Sequence, residues 1–191
     1  DMQAKEAIDA LELLTPVWRG DGVEAQALTL LAHLYIQDHR YRAAFHVMRT
    51  ALLVFPESDY TRKIQDEARA SFADLFLGGK ADSLPPVEAI ALFYDFRDLT
   101  PIGSRGDEMI RRLADRLVAV DLLDQAAELP EHQVDNRLQG VARAQVATRL
   151  AVIYLMNHKP ERAIATLQKT RTADVSNELR DQRLLIQARA L

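Results

Sequence analysis

Apolar residues recur at intervals of three and four along almost the whole chain, a spacing that places them on one face of an α-helix. No stretch shows the sustained two-residue alternation of a half-buried β-strand. The pattern predicts an all-α protein of ten helices, at residues 4–14, 25–36, 41–54, 60–77, 87–96, 107–120, 122–129, 141–156, 160–170 and 177–191.

Short breaks separate the predicted helices, so neighbouring helices are expected to form antiparallel pairs. Residues 78–83 contain two glycines and no large apolar side chain, and we expect them to be the most mobile internal segment. Residues 101–106 form a predicted turn, with Ser104 or Asp107 as the cap of the next helix. Pro130 is expected to kink or end its helix near Leu129, because an internal proline costs about 3 kcal/mol.

One spacing occurs twice. The stretch LLAHLYIQDHRYRAAFHVMRTALLVFP (30–56) aligns without a gap on RLAVIYLMNHKPERAIATLQKT (149–170). Tyr35 falls on Tyr154 and Ala44 falls on Ala163, while Leu–Ala pairs coincide at 31–32 and 150–151. Small residues at these positions let two helices cross closely, and a bulky side chain there would cost roughly 1–3 kcal/mol.

This spacing resembles the tetratricopeptide repeat, a 34-residue unit of two helices. The first copy matches at Leu28, Leu31, Ala32, Tyr35, Ala44, Met48, Ala51 and Pro56. The second matches at Ala147, Leu150, Ala151, Tyr154, Ala163 and Leu167, and departs from the pattern at Thr170 and Val175. The resemblance implies a right-handed α-solenoid of antiparallel helix pairs; a helical bundle and a HEAT-like array are the alternatives.

The weaker copies extend the resemblance over residues 1–191 as one array. Its expected parts are the second helix of a partial repeat at 3–14, repeats at about 25–58, 59–101, 107–138 and 144–175, and the first helix of a partial repeat at 177–191. Incomplete repeats at both ends suggest a fragment of a longer array. Cut ends would expose apolar side chains and allow self-association, through Ile8, Leu11 and Leu14 at one end and Leu184, Leu185 and Leu191 at the other.

Composition narrows the function classes. The net charge of −4 argues against nucleic-acid binding, which requires a basic face. The chain has no cysteine, so disulfides and thiolate metal sites are excluded. No apolar run reaches the roughly 20 residues that span a bilayer. The compartment stays open, with the cytoplasm preferred to the periplasm.

The chain carries no recognisable catalytic or cofactor motif. Phosphate-binding glycine loops, a nucleophile elbow and the HExxH zinc spacing are all missing from the sequence. We therefore expect a non-enzymatic protein without a cofactor or a bound metal.

The resemblance implies that first helices of the repeats line a concave groove that holds a peptide or helix of a protein partner. Carried over position by position, the groove residues are Thr29, His33, Gln37, Arg111, Asp115, Thr148, Val152, Leu155 and Met156. The family's clamp for chaperone tails needs Lys and Asn where this chain has Thr29 and His33, so that ligand class is not expected. The prediction is a protein–protein interaction scaffold. The alternative is a structural spacer or a regulatory subdomain of a larger protein or enzyme whose active site lies elsewhere.

Overall fold

The computed structural model describes residues 2–14, 22–54 and 59–191. Within these ranges the chain forms ten α-helices and no β-strand, which confirms the all-α prediction. No helix end lies more than three residues from its predicted position. The helices are α1 (Met2–Leu14), α2 (Gly22–Gln37), α3 (Tyr41–Val54), α4 (Asp59–Leu77), α5 (Pro86–Asp95), α6 (Ser104–Ala119), α7 (Leu123–His132), α8 (Gly140–Met156), α9 (Pro160–Lys169) and α10 (Asn177–Ala190).

The chain divides into two compact units. Unit 1 consists of Asp1–Ala81 and Glu88–Pro101, and unit 2 consists of Asp82–Val87 and Ile102–Leu191. The division into repeats stays a prediction. The proline that would close the first repeat, Pro56, lies outside the described residues.

The first core of unit 1 joins α1, α2 and α3. Ile8, Leu31, Tyr35 and Ala44 are buried together, and Leu11 packs against them. The expectation that Ile8 and Leu11 form a bare end is therefore wrong, because both contact the helix pair that follows. The side chain of Leu14, the third residue of that expectation, lies outside the described residues. The three leucines expected at the other end, Leu184, Leu185 and Leu191, are exposed.

The second core of unit 1 is aromatic. All six phenylalanines of the chain lie between residues 45 and 96. Phe72 has no exposed surface, and its ring centroid lies 5.2 Å from that of Phe45, 5.1 Å from that of Phe76 and 6.2 Å from that of Phe93. Because aromatic pairs add about 0.5–1.5 kcal/mol each beyond burial, this cluster binds α3, α4 and α5 together.

Unit 2 has an aliphatic core instead. Buried leucines and alanines of α6 to α9 fill it, and Tyr154 is the one aromatic ring there. Three acid–base pairs connect α7 and its C-terminal extension to α9 and the turn before it: Lys159 with Asp124 at 2.5 Å, Arg162 with Glu131 at 3.2 Å and Lys169 with Asp135 at 2.6 Å.

One turn geometry joins three helix pairs, namely α2–α3, α6–α7 and α8–α9. Each turn has one residue in the left-handed region, with φ of 59° at His39, 60° at Asp121 and 55° at His158. The amide of the next residue donates to a carbonyl five residues earlier: Arg40 to Tyr35, Leu122 to Leu117 and Lys159 to Tyr154. The second helix then begins with an alanine amide donating four residues back, from Ala44, Ala126 and Ala163.

This hydrogen-bond pattern satisfies the helix C-terminus and starts the next helix within three residues. The shared spacing from Tyr35, Leu117 and Tyr154 to these turns gives the three pairs one local register. Two of them are the pairs that the sequence alignment singled out.

Pro130 does not end its helix early, whereas the alternative expectation of a kink stays a prediction. Helix α7 does not end near Leu129 but continues through Pro130 to His132, and a π-helical segment, Gln133–Arg137, follows it. Pro130 is buried, so its ring gains packing that offsets part of the lost hydrogen bond to the carbonyl of Ala126.

The segment after α4 is a 3₁₀ turn, Lys80–Ser83, with Ala81 buried at its centre. Lys80 pairs with Asp74 at 2.7 Å, and the amide of Gly78 donates to the carbonyl of Asp74 at 2.7 Å. These contacts fix its start to α4, whereas an open loop was expected. Its mobility stays a prediction.

Candidate binding site

Unit 2 contains a cavity of about 490 Å³ between α6 and α8. The end of α7 and the π-helical segment contribute its third side through Pro130, Gln133 and Leu138. We call it the α6–α8 cavity, and its lining residues are Ser104, Asp107, Glu108, Arg111, Ala114, Asp115, Pro130, Gln133, Leu138, Ala142, Gln145, Val146, Arg149 and Ile153.

A chain of charged side chains runs across this cavity. Arg111 donates to Glu108 at 2.6 Å and to Asp115 at 3.1 Å on its own helix. Asp115 also accepts from Arg149 of α8 at 2.8 Å, which links α6 with α8. The Arg111 hydrogen bond, with help from Arg112, lowers the pKa of Glu108 to about 2. Because these side chains are about half exposed, the pairs contribute little stability and remain available to a ligand.

A buried polar cluster holds the third side of the cavity in place. Gln133 is buried, and its side-chain amide donates to the Asp107 carboxylate at 3.2 Å and to the Asp107 carbonyl at 3.3 Å. Arg137 donates to the same carboxylate at 2.9 Å. Asp107 therefore joins α6 to the π-helical segment and does not cap α6. The N-cap residue of α6 is Gly103, which has no side chain to cap the helix.

The structure brings together two of the predicted groove residues. Arg111 and Asp115 both line the α6–α8 cavity. Thr148 does not face an open groove: it is 5% exposed, donates to the carbonyl of Ala144 at 2.7 Å and accepts from Arg183 at 3.0 Å. Burial follows because α10 packs against α8 along this face.

The remaining predicted residues lie away from this cavity. Val152 and Met156 are exposed on α8 and Leu155 is half-buried, but none of the three lines the cavity. Thr29, His33 and Gln37 belong to α2 of unit 1. There the Thr29 hydroxyl donates to the carbonyl of Ala25 at 2.8 Å, Nε2 of His33 lies 3.3 Å from Glu67, and Gln37 is exposed.

The sequence analysis missed the contribution of α8 to the cavity. Ala142, Val146, Arg149 and Ile153 follow one another at intervals of three or four residues and so form one stripe of that helix, with Gln145 beside Val146. The predicted residues 148, 152, 155 and 156 form a different stripe. One feature of the sequence could have indicated this stripe. Ala142 and Val146 are apolar residues four positions apart, and neither occupies a crossing position of the repeat.

The described residues hold no cluster of three or more His, Asp or Glu side chains that could bind a metal ion. None of their helices is both long enough and apolar enough to cross a bilayer.

The likeness of this chain to a solved structure is weak. No protein-family model matches the chain, and no curated protein matches it. A solved structure of BtubC (BKLC) from P. vanneervenii is similar at a TM-score of 0.36 and 19% sequence identity, and the match covers 92% of this chain and 70% of that one. A likeness of this strength carries no argument about fold or function.

Proposed function

We propose that the helix pairs stack into a right-handed solenoid of the tetratricopeptide kind. The three identical turns support this arrangement, since a repeat unit requires one local geometry. The packing order supports it as well. Among the described residues, the closely packed α-helices are consecutive along the chain, or one apart as in α2 with α4 and α8 with α10. Nearest-neighbour packing is typical of solenoids.

We further propose that the chain is a non-enzymatic interaction module that holds a segment of a partner protein in the α6–α8 cavity. The observation that carries this proposal is the cavity itself, about 490 Å³ in volume, which lies within the usual range for ligand sites. Its walls are apolar at Ala142, Val146 and Ile153, while charged residues cross its mouth.

These walls and charges define the kind of segment that fits. One or two apolar side chains would enter against Val146 and Ile153. Flanking charges of both signs would then meet Arg111, Asp115 and Arg149, which already pair with one another. Since exchange of one surface ion pair for another is nearly neutral in energy, apolar contact would supply most of the affinity and the charges would set the register.

The test is a selection of peptides from a random displayed library against the isolated chain, followed by measured affinities for variants. Ala142→Trp fills the cavity from an exposed position of α8, and Gln168→Trp places the same ring on an exposed position of α9. The affinity of selected peptides for Ala142→Trp should be at least about tenfold lower, as expected for the loss of one ordinary contact. Their affinity for Gln168→Trp should equal that for the parent chain.

Melting temperatures of both variants should match that of the parent chain, because both positions are exposed. Peptides that bind Ala142→Trp as well as the parent chain would exclude the cavity as the site. A selection that yields no specific peptide would favour the alternative function, a structural spacer.

A further inference from the structure

A second cavity in unit 2 lies between the end of α9 and α10 and is lined by arginines. We call it the α9–α10 cavity. It measures about 230 Å³, and three of its lining residues are Arg171, Arg180 and Arg183. Arg180 and Arg183 are three residues apart and so share one face of α10, while Arg171 follows the last turn of α9. The other lining residues are Leu167, Thr172, Val175, Leu184 and Gln187, so no acidic residue is among them.

Arg183 is fixed in the wall of this cavity by neutral acceptors. Its guanidinium donates to the carbonyls of Ala144 at 2.9 Å and Leu167 at 2.6 Å, and to the carbonyl and hydroxyl of Thr170 at 3.2 and 3.0 Å. These contacts join α8, α9 and α10, yet none of the acceptors is a carboxylate. Burial lowers the pKa of Arg183, and the positive charge of Arg171 lowers it further.

The other two arginines are exposed and have no pair. Within the described residues, neither Arg171 nor Arg180 takes part in a side-chain hydrogen bond or an ion pair, although Asp174, Glu178 and Asp181 are close in sequence. Elsewhere in the described residues arginines commonly pair with acids, as Arg111, Arg149 and Arg162 do. The cavity therefore concentrates positive charge in a chain whose net charge is −4.

From this cluster we infer that the α9–α10 cavity binds a phosphate monoester. The guanidinium groups of Arg171 and Arg180 match a group that carries a charge of about −1.5 to −2 and three acceptor oxygens. Arg183, whose terminal nitrogens are occupied by protein acceptors, adds a third positive charge beside them, and a single carboxylate would neutralise only one of the three. Val175 and Leu184 offer an apolar wall to the carbon atoms next to the phosphate. The site shares no lining residue with the α6–α8 cavity, so either proposal can fail alone.

The experiment is a titration of the whole chain with O-phospho-L-serine at about pH 7.5, where the phosphate is largely dianionic, followed through the arginine Nε–Hε resonances by NMR. Binding should saturate with shifts of the Arg171, Arg180 and Arg183 signals. Arg171→Gln and Arg180→Gln should each weaken binding by roughly tenfold, as loss of a charged hydrogen bond does. Arg189→Gln, an equal charge change at another exposed site on α10, should leave it unchanged.

Glutamate and inorganic phosphate are the chemical controls. Glutamate should bind at least about tenfold more weakly than phosphoserine, and inorganic phosphate should compete with phosphoserine. A short phosphoserine peptide that binds more tightly than the free amino acid would identify a partner protein as the source, and equal affinity would identify a small molecule.

Three results would overturn the inference: shifts that do not saturate, equal affinity for glutamate and phosphoserine, or equal losses in Arg189→Gln and Arg180→Gln. Arg183 is left intact throughout because its contacts hold three helices together.

Discussion

The helix pairs α2–α3 in unit 1 and α8–α9 in unit 2 share their spacing and their turn, but they hold their central tyrosine differently. Tyr35 donates its hydroxyl to Glu12, and burial followed by this hydrogen bond raises the pKa of Tyr35 to about 12. The Tyr154 hydroxyl is buried and makes no hydrogen bond of normal geometry among the described residues. Burial, followed by the nearby Glu131 carboxylate, raises the pKa of Tyr154. Its neighbour Glu131 pairs with Arg162 at 3.2 Å.

The ingredients at the two sites are nevertheless the same. Each glutamate precedes its tyrosine by 23 residues, and an arginine lies over each ring, Arg40 at 4.5 Å and Arg162 at 4.9 Å from the ring centroid. Repeat spacing therefore determines which residues come into contact. It does not determine how the polar groups at that meeting point divide their hydrogen bonds.

The largest expected effect exploits the difference between the two cores. Phe72→Ala removes the ring at the centre of the aromatic cluster in unit 1 and should lower the free energy of unfolding by about 3–5 kcal/mol. Leu150→Ala, in the aliphatic core of unit 2, should cost about 2–5 kcal/mol. Urea unfolding followed by circular dichroism measures both.

Leu53→Ala controls for the loss of apolar bulk, since Leu53 is 76% exposed and should change stability by no more than about 0.5 kcal/mol. If Phe72→Ala were as mild as Leu53→Ala, the aromatic cluster would not be what holds α3, α4 and α5 together.

The next effect tests whether the two pairs are equivalent at their crossings. Ala44 and Ala163 both have no exposed surface and lie in the first turn of the second helix of their pair. Ala44→Leu and Ala163→Leu should therefore each destabilise by roughly 1–3 kcal/mol through overpacking. Gln168→Leu, at an exposed position of α9, should melt with the parent chain. A large loss in one pair and none in the other would show that the shared spacing does not produce a shared crossing.

Removing the hydroxyl groups of the two tyrosines should change stability less, and in opposite directions. Tyr35→Phe leaves the Glu12 carboxylate without its donor and should cost about 0.5–1.5 kcal/mol. Tyr154→Phe removes a buried hydroxyl that makes no hydrogen bond of normal geometry, and it should be neutral or slightly stabilising. The melting temperatures of the two variants, measured side by side, test this difference. Equal losses would mean that Tyr154 has a hydrogen bond in solution, to Glu131 or to water.

Sequence reasoning succeeded where one periodicity decides the outcome. The three- and four-residue spacing predicted all ten helices, because burial of one face determines helix formation almost independently of distant contacts. It failed for Thr148, since a repeat position does not reveal that α10 covers that face. The early helix end expected at Pro130 was also wrong, because burial of the ring opposes the local preference to end a helix.

The α6–α8 cavity could be predicted only in part. Arg111 and Asp115 follow from the repeat pattern, but Arg149 enters through a contact between two helices that are distant in sequence. The left-handed turn residues were equally hard to predict. Asp and His both enter that region more often than most residues, but this preference is too weak to identify His39, Asp121 and His158 as turn residues from the sequence.

These turn residues provide the last and smallest prediction. A non-glycine residue in the left-handed region costs about 1–2 kcal/mol, and glycine removes this cost but loses about 0.5–1 kcal/mol of backbone entropy. Asp121→Gly and His158→Gly should each stabilise the chain by about 0.5 kcal/mol, measured by urea unfolding. His39→Gly should gain less, because it also removes the 2.9 Å hydrogen bond between Nδ1 of His39 and the Tyr41 hydroxyl. A Gly substitution at exposed Asp38, which precedes His39 in the same turn, serves as the control and should destabilise. If all four substitutions destabilised equally, the left-handed geometry shared by the three turns would not exist in solution. The strongest local indication that the helix pairs are copies of one unit would then be lost.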